Sequence, residues 1–324
     1  MQIEFLGATR EVTGSCYLLH VGQYRVLVEC GLIQGSQKNE RHNLDPFLFD
    51  PKSLDAVVLT HAHLDHSGRL PLLIKQGYKG QVYTHNATVD LCAIMLEDAG
   101  YLNEREVQWE NKKRERKGLK LIEPLYTRGE SQKAHQHFRS LEYGKTEEIL
   151  PGVKLTLRDA GHILGSAIAE LELHEGNHSR KVVFSGDLGH QGSPILRDPE
   201  VVTHADLVIM ESTYVDRQHR AWDKTWQEMG EIISSARNEK GNILIPAFTV
   251  GRTQELLYRF KRYFDEWGLG IGRCFWTAPW ASRPPKSMTS MRGSMMSKPN
   301  PSLNKAETPS TCRICICLST AKIR

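Results

Sequence analysis

Six residues, His61-Ala62-His63-Leu64-Asp65-His66, constrain this chain more than any others. They follow Ala56-Val57-Val58-Leu59, an apolar run that reads as a buried strand delivering Thr60 and the histidines to a loop. Imidazole and carboxylate are good zinc donors, and a loop after a strand can aim several of them inward. The histidines at i and i+2 suit one metal, and the Asp-His pair suits a second beside it. A polar loop with surface histidines is the competing reading, and four donors packed into six residues argue against it.

A metal site needs further donors downstream. Asp159-Ala160-Gly161-His162-Ile163-Leu164-Gly165-Ser166 places His162 in a glycine-flanked turn. Val182-Val183-Phe184-Ser185-Gly186-Asp187-Leu188-Gly189 runs an apolar strand into Asp187, again between glycines. Taken singly, each is an ordinary turn. In order behind the histidine motif, they complete a pattern of apolar run followed by donor.

That order resembles the metallo-β-lactamase fold. Asp159 to Ala167, Glu211-Ser212-Thr213-Tyr214 and Pro246-Ala247-Phe248-Thr249-Val250-Gly251-Arg252-Thr253-Gln254-Glu255 together resemble its β-CASP branch, which contains RNA-processing nucleases. The likeness covers about residues 1 to 270. It implies an α/β (α+β) fold, an αββα sandwich in which an inserted β-CASP α/β domain begins. Residues 1–210 would form the metallo-β-lactamase domain and 211–270 a partial β-CASP domain.

The resemblance implies two Zn²⁺ ions. His61, His63 and His162 would hold the first, Asp65 and His66 the second, and Asp187 would bridge them. Catalytic roles fall to Asp65, which orients or receives a proton, and Glu211, which stands behind a histidine. Glu29, closing the strand Arg25 to Cys30, would support the metal loop from behind. Arg252 and Ser166 would bind substrate, Arg252 at a helix start where backbone N–H groups also favour phosphate. The family also places two later histidines beyond the Gly-Arg helix, as a ligand and a general acid. No histidine follows His219 here, so this copy is expected to be impaired.

The expected function is therefore zinc-dependent hydrolysis of phosphodiester bonds in single-stranded RNA, by exonuclease or endonuclease action. A binuclear-zinc hydrolase for a small ester or thioester is one alternative, and a non-catalytic RNA-binding member is another. Glu211 to Tyr214 and Gly251 to Glu255 favour the nuclease.

Net charge gives no independent support for a nucleic-acid partner. Of the formal +4, residues 271–324 carry nine Lys or Arg against one acid, Glu307, so that the rest of the chain stands at −4. There is no charged-then-apolar leader and no long apolar run, so the expectation is a cytoplasmic protein with no membrane span, a homodimer being allowed. Seven cysteines without regular spacing point to a reducing compartment.

From about residue 271 the chain reads as a non-native, disordered tail produced by a frameshift. The segment holds six prolines and eight serines in 54 residues, and apolar periodicity stops. One codon choice for Cys274 to Trp280, read one nucleotide earlier, gives Val-Phe-Leu-Asp-Ser-Pro-Met. At the same offset Ser310 to Cys317 gives Phe-Asn-Leu-Pro-Asn-Leu-His-Leu. Cys312, Cys315 and Cys317 are then accidental rather than a zinc motif. Elsewhere, 104–120 reads as a solvated helix or loop, His135 and His137 as surface residues, and His85 as a neighbour of the metal region.

Overall fold

The computed structural model describes residues 1–214, 216, 220–238, 242–248, 250–269, 273–277 and 313–319. The chain divides into two compact units, Met1–Glu211 and Ser212–Arg324. Glu211, assigned from sequence to the second domain, is thus the last residue of the first unit.

In the first unit, β1 (Gln2–Gly7), β2 (Cys16–Val21) and β3 (Tyr24–Val28) form an antiparallel meander. β4 (Ala56–Val58), β5 (Gln81–His85) and β6 (Phe138–Leu141) then add in parallel, giving six strands in sequence order. Parallel neighbours need crossover connections. After the short α1 (Gln37–Glu40), these are α2 (Leu64–Ser67) with α3 (Leu70–Lys75), and α4 (Asn86–Arg116) with α5 (Arg128–Ala134). α4 is one helix of 31 residues and takes in most of the 104–120 stretch read as a solvated helix or loop.

The second sheet has the order β11-β10-β9-β8-β7, from β7 (Thr146–Leu150), β8 (Val153–Asp159), β9 (Ala167–Glu175), β10 (His178–Phe184) and β11 (Leu207–Ile209). Strand alternation sorts its side chains. Ala167, Ala169, Leu171 and Leu173 of β9 face Val26, Val28, Ala56 and Val58 of the first sheet in one buried cluster. Ile168 points the other way, under Leu188, Val202 and Ala205. Each fully buried Val, Leu or Phe in this seam stabilises the sandwich by about 1.5–3 kcal/mol.

This topology creates a site-bearing edge. β8 and β10 are each antiparallel to β9, so they run in the same direction. The Ala167 N–H, where β9 begins, donates to the Thr60 carbonyl just past β4 at 2.9 Å. The C-terminal ends of β4, β8 and β10 therefore meet, and these ends carry the histidine motif, His162 and Asp187.

The second unit contains α6 (Trp222–Asn238), β12 (Asn242–Phe248), α7 (Arg252–Arg262), β13 (Arg273–Thr277) and β14 (Arg313–Ser319). Trp226, Ile233, Ala247, Leu256, Phe260 and Trp267 form its core. Two stretches inside the expected tail are strands: β14 pairs in parallel with both β12 and β13. Arg-Ile-Cys-Ile-Cys-Leu-Ser has the β-branched alternation of a strand, whatever frame produced it. Residues 278–312 and 320–324, where most of the expected tail falls, lie outside the described residues.

Candidate metal centre

The metal loop is held from behind before any donor is considered. Residues 29–32 lie along residues 63–69: the Cys30 N–H donates to the His66 carbonyl at 2.7 Å, Leu32 to Leu64 at 2.7 Å, and Arg69 back to Cys30 at 2.8 Å. The approach is so close that a Cβ at Gly31 would stand 1.7 Å from the Asp65 carbonyl oxygen. Only glycine fits there. The Ser67 hydroxyl closes the loop by donating to the carbonyls of Ala62 and His63.

Three imidazole nitrogens face one another. His63 Nδ1 lies 3.2 Å from both His61 Nε2 and His162 Nε2. Asp187 Oδ2 lies 3.6 Å from the first of those Nε2 atoms and 3.4 Å from the second. These four donors lie within 4.8 Å of one another. The other oxygen of the same carboxylate, Oδ1, is 3.2 Å from His66 Nε2, which in turn lies 3.8 Å from Asp65 Oδ2. Asp187 thus faces one group with each oxygen. All six residues expected to ligate metal lie in one place.

A second set of facing groups consists of Glu29, His61 and His66. Glu29 is already committed: Oε1 accepts from the Thr60 N–H at 2.7 Å, and Oε2 pairs with His66 Nδ1 at 2.9 Å. It is 2% exposed and adopts a left-handed backbone, φ 64°. It holds the loop from behind and keeps one His66 proton on Nδ1. Thr60 Oγ1 hydrogen-bonds His61 Nδ1 at 3.0 Å, so it is Nε2 that faces the other donors.

Electrostatics favour neutral imidazoles. Burial, with the neighbouring imidazoles His66, His63 and His162, holds His61 well below the ordinary histidine pKa. Burial and the charge of His162 bring His63 down to about 3, and burial lowers His162 as well. His66 differs. Burial opposes its charged form, yet hydrogen bonds to Asp187 and Glu29 hold its pKa well above the usual range. Burial likewise works against the Asp187 anion, but His66 and the other two imidazoles pull its pKa to about 2. Burial raises Asp65, making it the better proton acceptor of the two aspartates. Lone pairs converging without protons between them repel, and a cation between them removes that repulsion.

Ser166 requires a correction. It is fully buried, and its Oγ accepts from the N–H groups of His162 at 3.0 Å and Ile163 at 3.2 Å. Its hydroxyl shapes the His162 turn from inside and does not face substrate. Glu211 also works through a turn: Oε1 accepts from the Leu188 N–H at 2.9 Å, next to Asp187, and its own N–H donates to Ser185 Oγ at 3.1 Å. It is a positioning residue. The two turns are joined where the Gly189 N–H donates to the Ala160 carbonyl at 2.8 Å, and a Cβ at Gly189 would stand 1.8 Å from the Gly161 oxygen.

Arg252 opens α7 in the second unit. It pairs with Glu255 at 2.7 Å, and its guanidinium carbon lies 5.6 Å from the Trp222 ring centroid. His85 accepts the Ala87 N–H at 3.3 Å and stacks on Tyr143 at 3.9 Å. The Tyr143 hydroxyl then donates to the Ser166 carbonyl at 2.7 Å, so His85 buttresses the His162 turn. No local pattern marks Tyr143 for this role. Thr60 was findable, since it adjoins the motif. The Nδ1 of His137 donates to the Gly80 carbonyl at 2.9 Å, away from the site.

Residues 9–234 match the family model of the metallo-β-lactamase superfamily. A ribonuclease of Thermus thermophilus is 44% identical over 80% of this chain and 54% of its own length. A transcription termination factor of Methanothermobacter thermautotrophicus is 36% identical over 84% of this chain and 42% of its own. The chain thus spans about half the length of the curated relatives it matches. Among solved structures, a metallo-β-lactamase from Cronobacter sakazakii aligns at 18% identity over 59% of this chain and 58% of its own, with a TM-score of 0.37. With the histidine motif, His162 and Asp187 gathered at one edge of a two-sheet sandwich, and with the family match over more than two thirds of its length, the chain belongs to the metallo-β-lactamase superfamily.

Proposed function

We propose that this chain carries the metal-binding portion of a β-CASP-type, zinc-dependent ribonuclease that hydrolyses phosphodiester bonds in single-stranded RNA. The observation that carries the reading is the shared carboxylate: Asp187 turns Oδ2 to His61 and His162, and Oδ1 to His66. The relative named a ribonuclease supports the choice of reaction.

The donor set fits zinc. A tetrahedral ion with bonds of about 2.0–2.1 Å requires donors about 3.3–3.4 Å apart. Four of the six separations in the first group run from 3.2 to 3.6 Å, and all lie within 4.8 Å. His61, His63, His162 and Asp187 would hold one ion, and Asp65, His66 and Asp187 the second. Two zinc ions bound there supply a nucleophile from water at neutral pH and neutralise charge that builds on the phosphoryl oxygens.

The protein's own groups do the rest. Glu29 Oε2 keeps one His66 proton on Nδ1, so that Nε2 is the nitrogen that would ligate once a metal displaces its proton. The Asp65 carboxylate, beside His66, would orient or receive a proton. Glu211 holds the Asp187 turn in place. Arg252 keeps its place as a phosphate-binding guanidinium. RNA as substrate supports a cytoplasmic location, and sedimentation of the chain tests the homodimer.

The experiment combines zinc titration with cleavage of a labelled 24-nucleotide RNA. Expected are two zinc ions per chain and chelator-sensitive cleavage that His63→Ala abolishes without unfolding the protein. Cleavage that survives chelation, or hydrolysis of thioesters with RNA untouched, would overturn the reading.

A further inference from the structure

α4 starts at the metal site and ends far from it. Near its N-terminus, the Thr88 hydroxyl donates to the Gly165 carbonyl in the His162 turn at 2.7 Å. At the other end, residues 112–120 hold six cations and one acid, Glu115. Lys112, Lys113, Arg116, Lys117 and Lys120 are exposed. This tip is built rather than frayed. Gly118, φ 63°, ends the helix, and the Leu119 N–H returns to the Arg114 carbonyl at 2.9 Å. The Asn111 side chain then takes both backbone groups of Ile122, each at 2.9 Å, and the Arg114 Nε–H donates to the Lys120 carbonyl at 2.6 Å. Trp109 stands one turn before the cations. Its ring is 55% exposed, with the Lys113 ammonium 3.1 Å from the ring centroid.

We propose that the tip of α4 is a second contact for single-stranded RNA, gripping the strand well away from the bond being cut. The inference rests on the ribonuclease reading above. Exposed cations along a ridge match a phosphate backbone, and the indole face of Trp109 opposite Lys113 offers a surface on which a base can stack. The surroundings sharpen the choice. The chain outside 271–324 is net acidic, at −4, so this ridge is a local exception to the charge around it.

The length of the helix makes the claim specific. Trp109 lies 21 residues beyond Thr88, about 32 Å at 1.5 Å per residue. A stacked strand rising about 3.4 Å per nucleotide needs roughly nine nucleotides to reach from site to tip. Short RNA therefore cannot touch both.

The test is binding, measured by fluorescence anisotropy on the zinc-loaded 324-residue protein. The probes are phosphorothioate-linked oligouridylates of 24 and 5 nucleotides, which resist cleavage. Lys112→Ala, Lys113→Ala and Lys117→Ala are combined in one variant, and Trp109→Ala is made separately; all four side chains are exposed. The triple variant is expected to weaken 24-mer binding about tenfold or more and to lower its salt slope by about 2, at roughly 0.7 per phosphate contact. Binding of the 5-mer should not change. Trp109→Ala should weaken the 24-mer with the salt slope unchanged. If the wild type binds the 24-mer and the triple variant binds it equally well, the tip is not on the RNA path, although the ribonuclease reading stands. Equal weakening of both oligomers would also overturn the proposal, as would a change in sedimentation with RNA binding intact, which marks a protein interface. If the wild type binds neither oligomer, the RNA reading itself fails and the proposal goes with it.

Discussion

Replacing Glu29 with glutamine removes one charge and one acceptor from the back of the metal loop. The carboxylate now receives two donors, Thr60 N–H at 2.7 Å and His66 Nδ1 at 2.9 Å. An amide has a single oxygen, so one donor must face an NH₂ group. If Thr60 keeps the oxygen, the amide forces His66 to accept at Nδ1 and carry its proton on Nε2. That proton points at Asp187 Oδ1, 3.2 Å away, where the second ion would sit. Removing such a support costs about 10–100-fold in metal affinity. Losing a charge-assisted hydrogen bond at a residue 2% exposed costs the metal-free fold a further 1.5–3 kcal/mol or so. Chelator-competition titration and urea unfolding read the two effects separately. The expected outcome is two-ion binding in the wild type and, at the same free zinc, one ion in Glu29→Gln, because none of the hydrogen bonds of His61, His63 or His162 involves Glu29. Unchanged affinity at both positions would refute the tautomer argument. Equal loss at both would show that Glu29 acts on the whole loop and not through His66.

Three further outcomes are expected. Ser166→Ala leaves the buried His162 and Ile163 N–H groups without their acceptor; it should cost about 1–3 kcal/mol in urea unfolding and weaken the first zinc position, and a neutral result would return Ser166 to a role facing substrate. Burial holds His85 near a pKa of about 4 and, with the charge of His162, His63 near about 3, while both regain about 6.5 when unfolded, so the unfolded chain binds more protons below pH 6.5. Stability of the metal-free protein should therefore fall between pH 6.5 and 4.5; His66, raised when folded, exerts its effect above pH 6.5, and a flat or rising profile below pH 6.5 would contradict this. Sequencing the gene tests the frameshift reading of residues 271–324: the alternative frame should stay open beyond the Arg273 codon, and early stop codons there would end that reading.

The donors were legible because each closes a short apolar run: His61 follows Ala56 to Leu59, and Asp187 follows Val182 to Phe184. Apolar runs and glycine turns are local signals, and they located the strand ends and turns that carry the donors. Glu29 was readable for the same reason, as an acid at a strand end. Ser166 was misread because its sequence context, Gly165-Ser166-Ala167, is equally consistent with an inward or an outward hydroxyl. Its orientation is set by the His162 turn folding back on itself at 3.0 Å. The Tyr143–His85 stack and the Ala160–Gly189 bond join residues 29 or more positions apart, and no short window of sequence pairs them. The length of α4 was hidden by composition, since its distal half is polar and nearly without an apolar stripe. Its tip is held by Asn111 and Arg114 reaching past Gly118.

X-ray absorption at the zinc edge tests the central claim most directly. The account expects nitrogen and oxygen neighbours at about 2.0–2.2 Å, imidazole scattering, and a zinc–zinc vector of about 3.5–4 Å in the fully loaded protein. In His63→Ala the first ion should be lost and the zinc–zinc vector with it. Sulfur neighbours at about 2.3 Å would place the metal on Cys312, Cys315 and Cys317 instead, and a loaded protein without a zinc–zinc vector would contradict the shared role of Asp187.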